Sequence, residues 1–124
     1  MREKEQSMPK VAVTSEGPGL EDRLDPRFGR AGGFVIVDVE TMATEYIDNG
    51  QAQTLAQGAG IQAAEIIANS GAIVLLTGSV GPKAFQALNA VGIKVGIDLG
   101  NITVQEAVQM YKEGKVAFAD RPNK

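Results

Sequence analysis

The sequence predicts an α/β protein, a three-layer α/β/α domain built on a mixed five-stranded sheet in the order βββαβαβα. Three observations carry that reading. Apolar runs near residues 11, 34 and 46 are separated by turn residues, with no helical period between them. From Gly58 onward, 3.6-period segments alternate with short apolar runs. Within that second half, Ala72-Ile73-Val74-Leu75-Leu76 is an unbroken apolar stretch, as expected for a parallel strand covered by helices on both faces.

Taken in order, Lys10 to Thr14 is a buried first strand behind a polar lead. Ser15 to Arg30 is a long polar loop, too interrupted by Gly17, Pro18, Gly19 and Pro26 for a helix. Phe34 to Glu40 begins continuous and ends alternating. Thr41-Met42 turns it into Ala43 to Asp48, which predicts a hairpin closed by Asn49-Gly50. A soft segment, Gln51 to Gln57, leads to the first helix, where Ile61, Ala64, Ile67 and Ala68 recur at helical spacing before Asn69-Ser70-Gly71 stops it. Pro82 opens the next helix, with Phe85 and Leu88 facing the core and Val91-Gly92 closing it. Ile93 to Ile97 is a further strand. Thr103 and Glu106 form a capping box for a last helix, whose Val104, Ala107, Val108 and Tyr111 share one face before Gly114. Val116 to Phe118 is a short apolar run. One domain is expected over 10–118, with a flexible lead at 1–9 and a flexible tail at 119–124. Right-handed crossovers place the loop after the first strand, Gly58–Gly60 and Thr77–Pro82 at one sheet edge, outside the carboxyl ends of the parallel strands, where open α/β sheets bind ligands.

The 124 residues suffice for a real core, and 44% hydrophobic with 22% charged residues is ordinary for a globular protein. A formal charge of −3 argues against general nucleic-acid binding, and no apolar run reaches bilayer length. The polar amino terminus has no export signal, so a cytoplasmic location is expected. The chain has no cysteine and no histidine. Common zinc sites, protein-ligated iron–sulfur clusters and Ser-His-Asp or Cys-His catalysis are therefore excluded. A soft-metal group would have to bring its own ligands.

The stretch Asp25 to Gly33 sets Arg27, Phe28 and Arg30 among Gly29, Gly32 and Gly33. Its guanidinium forks and close-approaching backbone suit a non-covalently held anion. The plainer reading is a solvated connector with Arg–Asp pairs to Glu21, Asp22 or Asp25. Gly58-Ala59-Gly60-Ile61-Gln62-Ala63 matches G-x-G-x-x-A, yet it does not follow a strand directly, and no acid lies about twenty residues on. A glycine-led helix start packed against a neighbour is the better reading, with a general anion site at that N-terminus as the open alternative. Thr77-Gly78-Ser79-Val80-Gly81-Pro82-Lys83 offers amides, hydroxyls and a lysine at a strand-to-helix turn, but not a P-loop spacing, and reads equally as a ligand contact or as plain turn chemistry. Asp38, Glu40, Glu45 and Asp48 alternate on the hairpin and read as a solvated face, and Val11-Ala12-Val13 lacks the acid a two-metal nuclease would want.

Several segments, in order, carry a family resemblance: Val11 to Thr14, Arg27-Phe28-Gly29-Arg30-Ala31 before Phe34 to Val37, Gly58-Ala59-Gly60, Leu76 to Ala84, Gly92-Ile93-Lys94 and Thr103 to Gly114. Over about residues 10–118 the chain resembles the dinitrogenase iron–molybdenum cofactor biosynthesis family, which includes NifX-type and NifB C-terminal domains. Asp25 to Arg30 is most similar to the orange-protein branch of sulfate-reducing bacteria. The resemblance implies a ribonuclease H-like fold that binds or carries metal–sulfur clusters, either iron–molybdenum–sulfur or, in the orange-protein branch, mixed molybdenum–copper sulfide. Many members carry histidine before the F-G-R-A element, and Arg27 stands there in this chain.

The expected function is a non-enzymatic carrier or assembly scaffold, in an anaerobe, for an anionic molybdenum sulfide cluster, with Mo-Cu-S favoured over Fe-Mo-S. Cluster-assembly or ATPase proteins are the expected partners, with neither nucleic acid nor membrane. The expected cluster-binding residues are Thr14, Arg27, Phe28, Gly29, Arg30, Ala31, Gly58, Ala59, Gly60, Thr77, Gly78, Ser79, Val80, Gly81 and Pro82. Arg27 and Arg30 would supply charge and N–H···S contacts, the amides of Gly58 to Gly60 and of Gly78 to Gly81 further donors, and Phe28 apolar cover. The competing readings are a sensor of small anions or nucleotides and a metal-dependent nuclease.

Overall fold

The computed structural model describes residues 9–50 and 58–124; the lead before Pro9 and the soft segment 51–57 lie outside the described residues. Strands β1 (Lys10–Ser15), β2 (Gly33–Asp38), β3 (Thr44–Asp48), β4 (Val74–Leu76) and β5 (Lys94–Gly96) form one mixed sheet in the order β3-β2-β1-β4-β5. β2 runs antiparallel to β1 and β3, with Val13 opposite Val35 and Phe34 opposite Ile47. β4 is parallel to β1 and to β5, with Val11 beside Val74 and Leu75 beside Val95. Among the described residues the helices are α1 (Ala59–Ser70), α2 (Pro82–Ala90) and α3 (Val104–Lys112).

Strand alternation divides the core into two layers. Ala12, Phe34, Ile36, Leu75 and Val95 face α1 and α2, where Ala63, Ala64, Ile67, Ala84 and Leu88 meet them. Val11, Val13, Val35, Val37, Val74 and Leu76 point to the opposite side, against Val104, Ala107 and Val108 of α3. The expected mixed sheet, three layers and element order are all present.

Four details differ from the sequence reading. β2 ends at Asp38, because its carboxylate accepts the amides of Glu40 (2.9 Å) and Thr41 (3.1 Å) and folds the chain into the turn. β4 and β5 are each shorter than their apolar runs. The buried stripe of α1 is Ala59, Ala63, Ala64 and Ile67, while Ile61 and Ala68 are exposed. The tail, read as loose, makes ordered contacts. Ala119 donates to the Val95 carbonyl at 2.8 Å, and Asn123 binds the turn after β4 through its backbone and its amide.

Candidate functional site

The loop after β1 is tied to the sheet before it reaches the cleft. Asp25 donates its amide to the Thr14 carbonyl (2.9 Å), and the Thr14 hydroxyl donates to the Asp25 carbonyl and lies 2.9 Å from the Thr77 hydroxyl. Thr14 is the next-to-last residue of β1 and Thr77 follows β4, so buried polar contacts lock the loop to the carboxyl ends of two parallel strands. The Asp25 carboxylate, only 2% exposed, accepts the Arg27 amide (3.0 Å), Nε (3.0 Å) and Nη2 (2.9 Å). The hydrogen bond and charge of Asp25 hold the Arg27 pKa above its ordinary value. Arg27 is thus oriented by its partner while its side chain stays 59% exposed.

Beyond Arg27 the loop is stitched to the turn after β4. Ser79 donates to the Pro26 carbonyl at 2.8 Å, and Phe28 donates to the Ser79 carbonyl at 3.4 Å. Gly78 packs on Pro26 so closely that a Cβ would lie 2.6 Å from the proline ring. Gly29 faces the start of α1, where a Cβ would meet Gly60 at 3.1 Å. Phe28 is buried against Phe34, with ring centroids 5.8 Å apart. Asn49, buried at the end of the hairpin, donates to the carbonyls of Gly29 (3.3 Å) and Ala31 (3.0 Å). The loop's shape is therefore set from three sides.

These segments enclose an open cleft of about 450 Å³, within the usual range for small ligands. Arg27, Phe28, Gly29 and Arg30 line one side, Gly58 to Ile61 a second, and Ser79 with Gly81 to Ala84 a third, with Lys124 at the rim. Arg27, Arg30, Lys83 and Lys124 bring four cations, and no Asp or Glu is among the described lining residues. Both α1 and α2 start in the cleft, at Gly58 and Gly81, and neither has a side-chain cap. α3, which starts elsewhere, carries a full capping box from Thr103 and Glu106. The first-turn amides of α1 and α2 thus have no intrahelical partner and aim their dipoles' positive ends at one volume. Phe28, Ala59, Ile61, Pro82 and Ala84 make the rest of the surface apolar. Chemically, the cleft suits a compact anion with weakly hydrated outer atoms.

Ten of the expected residues line this cleft: Arg27, Phe28, Gly29, Arg30, Gly58, Ala59, Gly60, Ser79, Gly81 and Pro82. Thr14, Ala31, Thr77, Gly78 and Val80 do not. Thr14 and Thr77 are buried against one another, and Gly78 is covered by Pro26. The amides of Ser79 and Val80 were expected to face the ligand but are spent on the Pro26 carbonyl and on Asn123 Oδ1 (2.8 Å). Donors instead come one turn further on, from the helix starts. Ile61, Lys83, Ala84 and Lys124 also line the cleft, beyond the residues the sequence predicts. Lys83 carried a signal, a cation one residue into a glycine-led helix; Ile61 was masked by its fit to the core stripe. Among the described residues no cluster of three or more carboxylates could hold a metal ion.

A family model described as dinitrogenase iron-molybdenum cofactor matches residues 9–114. An uncharacterized protein of Methanocaldococcus jannaschii is 31% identical over 97 residues, 77% of this chain and 81% of that protein. The apo orange protein of Desulfovibrio gigas is 62% identical with a TM-score of 0.92, covering 97% of this chain and all of the other. A NifB-like protein of the DUF35 family from Thermotoga is 34% identical with a TM-score of 0.77, covering 90% of this chain and 93% of that one.

Proposed function

The chain belongs to the dinitrogenase iron-molybdenum cofactor family, whose members are cofactor carriers or binding proteins, and on that premise we propose that it holds an anionic molybdenum sulfide cluster without covalent ligation. One observation carries the reading: two uncapped helix starts and four cationic side chains, of which Arg27 is paired to Asp25 behind it, converge on a cleft whose described lining has no carboxylate. Each helix terminus contributes ~0.3–1 kcal/mol toward an anion, and more where water is excluded. Asp25 takes Nε and Nη2 of Arg27 and so pre-orients its remaining guanidinium edge, and little side-chain entropy is lost when a ligand arrives. Ile61 and Pro82 offer apolar contact to sulfide faces and displace water from them, over a floor set by the buried Phe28.

With no cysteine or histidine, the chain supplies no thiolate or imidazole, so the cluster's own sulfides complete its metals. A mixed molybdenum–copper sulfide meets that condition better than an iron–molybdenum precursor that draws on a protein histidine. The likeness to the orange protein supports a cluster as the cargo. The protein acts as a cytoplasmic carrier or scaffold rather than an enzyme, and passes its cargo to assembly or ATPase partners. Among the described residues no helix is long and apolar enough to cross a membrane.

The test is anaerobic incubation with tetrathiomolybdate, with and without copper(I), followed by desalting, metal analysis and a visible spectrum. Molybdenum and copper should elute with a coloured protein. Arg30→Ala with Lys83→Ala should retain several-fold less, and the deficit should grow with salt. Colourless wild-type protein free of molybdenum would overturn the reading.

A further inference from the structure

We propose that Asn123 is a positioning residue of the cleft, which holds the glycine turn after β4 in its ligand-ready shape from the carboxyl-terminal segment. The inference rests on the anion-cleft reading. Asn123 makes four hydrogen bonds to elements far away in sequence. Its Oδ1 accepts the Val80 amide (2.8 Å), its Nδ2 donates to the Gly78 carbonyl (2.9 Å) and to Asp98 Oδ1 (3.1 Å), and its own amide donates to the Val80 carbonyl (3.2 Å). The side chain therefore saturates the backbone polar groups on both sides of Ser79, and Ser79 and Gly81 line the cleft.

The path of the segment explains its reach. Ile97 donates to the Ala117 carbonyl and Ala119 to the Val95 carbonyl, so residues 117–119 lie along the outer edge of β5. The chain then crosses the loop at Asp98, whose left-handed backbone (φ 65°) turns its carboxylate toward Asn123. Asp98 also donates its amide to the Gly78 carbonyl at 2.9 Å, so Gly78, Asp98 and Asn123 form one closed polar triangle. The next residue, Lys124, reaches the cleft rim. Without Asn123, the Val80 amide would turn toward water, and the turn that starts α2 would lose its anchor.

The test combines amide exchange with tetrathiomolybdate release from the full chain. Asn123→Ala should speed exchange at the Val80 amide and speed release of tetrathiomolybdate, each roughly tenfold, as expected for the loss of one or two hydrogen bonds. Far-ultraviolet dichroism should stay unchanged. Asn123→Asp should behave as badly, because its new carboxylate would face Asp98 and could not donate to Gly78. Adding Asp98→Asn should rescue it, since the amide there can donate to that carboxylate. Faster Val80 exchange with unchanged release would overturn the proposal, as would unchanged exchange or a failed rescue. If wild-type protein retains no tetrathiomolybdate, the cluster reading falls, while Val80 exchange and its rescue still decide whether Asn123 holds the turn.

Discussion

Arg27 meets the Asp25 carboxylate through both ends of its fork, Nε at 3.0 Å and Nη2 at 2.9 Å, with one partner buried and the other largely in water. That asymmetry makes the two truncations unequal. Removing Arg27 strands a carboxylate that is 2% exposed and keeps only the Arg27-position amide as a donor. Removing the charge of Asp25 frees a guanidinium that water can solvate.

Arg27→Ala is therefore expected to cost more stability than Asp25→Asn, about 2–3 kcal/mol against about 1 kcal/mol. The double variant should lie close to Asp25→Asn alone. Urea unfolding of the four proteins closes this cycle. Equal losses for the two single variants would show that the burial of Asp25 does not set the energetics of the pair.

At the junction of α1 and α2, a methyl group at Gly60 would sit 3.0 Å from the Ala84 Cβ. Alanine raises helix propensity by up to ~1 kcal/mol, but the Ala84 methyl is fixed to its backbone and cannot swing aside. Overpacking wins, so Gly60→Ala should destabilise by about 1–2 kcal/mol and push the two helix starts apart. Pairing it with Ala84→Gly should recover most of the loss, which a double-mutant cycle reads directly. Additive losses would mean that the helices do not touch there.

The strands, helices and their order were legible because periodicity and caps are local. Thr103 and Glu106 announced α3, and Gly81-Pro82 announced α2. The cleft was legible in part, because glycine-rich turns at the carboxyl ends of parallel strands gather by topology alone. What stayed hidden depends on contacts across the fold. Asn49 looked like the end of a hairpin, and only tertiary packing sets its amide under Gly29 and Ala31. Asn123 sat in a polar tail with no pattern around it, yet it reaches back 45 residues to Gly78. The amides of Ser79 and Val80 looked available because their acceptors, Pro26 and Asn123, lie far away in sequence.

The turn between β2 and β3 carries the clearest pH dependence. The Asp38 carboxyl is held below its ordinary value, first by the amide of Thr41, then by that of Glu40, with Lys10 adding a favourable charge. A depressed carboxyl favours the folded chain fully above the unfolded pKa, about 4, and the contribution is lost as pH falls through the folded value. Glu113 acts in the same direction, through Gln109 and then Lys115. Asp38→Asn keeps an oxygen for the turn amides but removes the charge. At pH 7 the variant should unfold at lower urea than the wild type, and the gap should close as pH drops from about 5 toward 3. Parallel pH profiles of the two midpoints would show that the carboxylate's charge does not stabilise this turn.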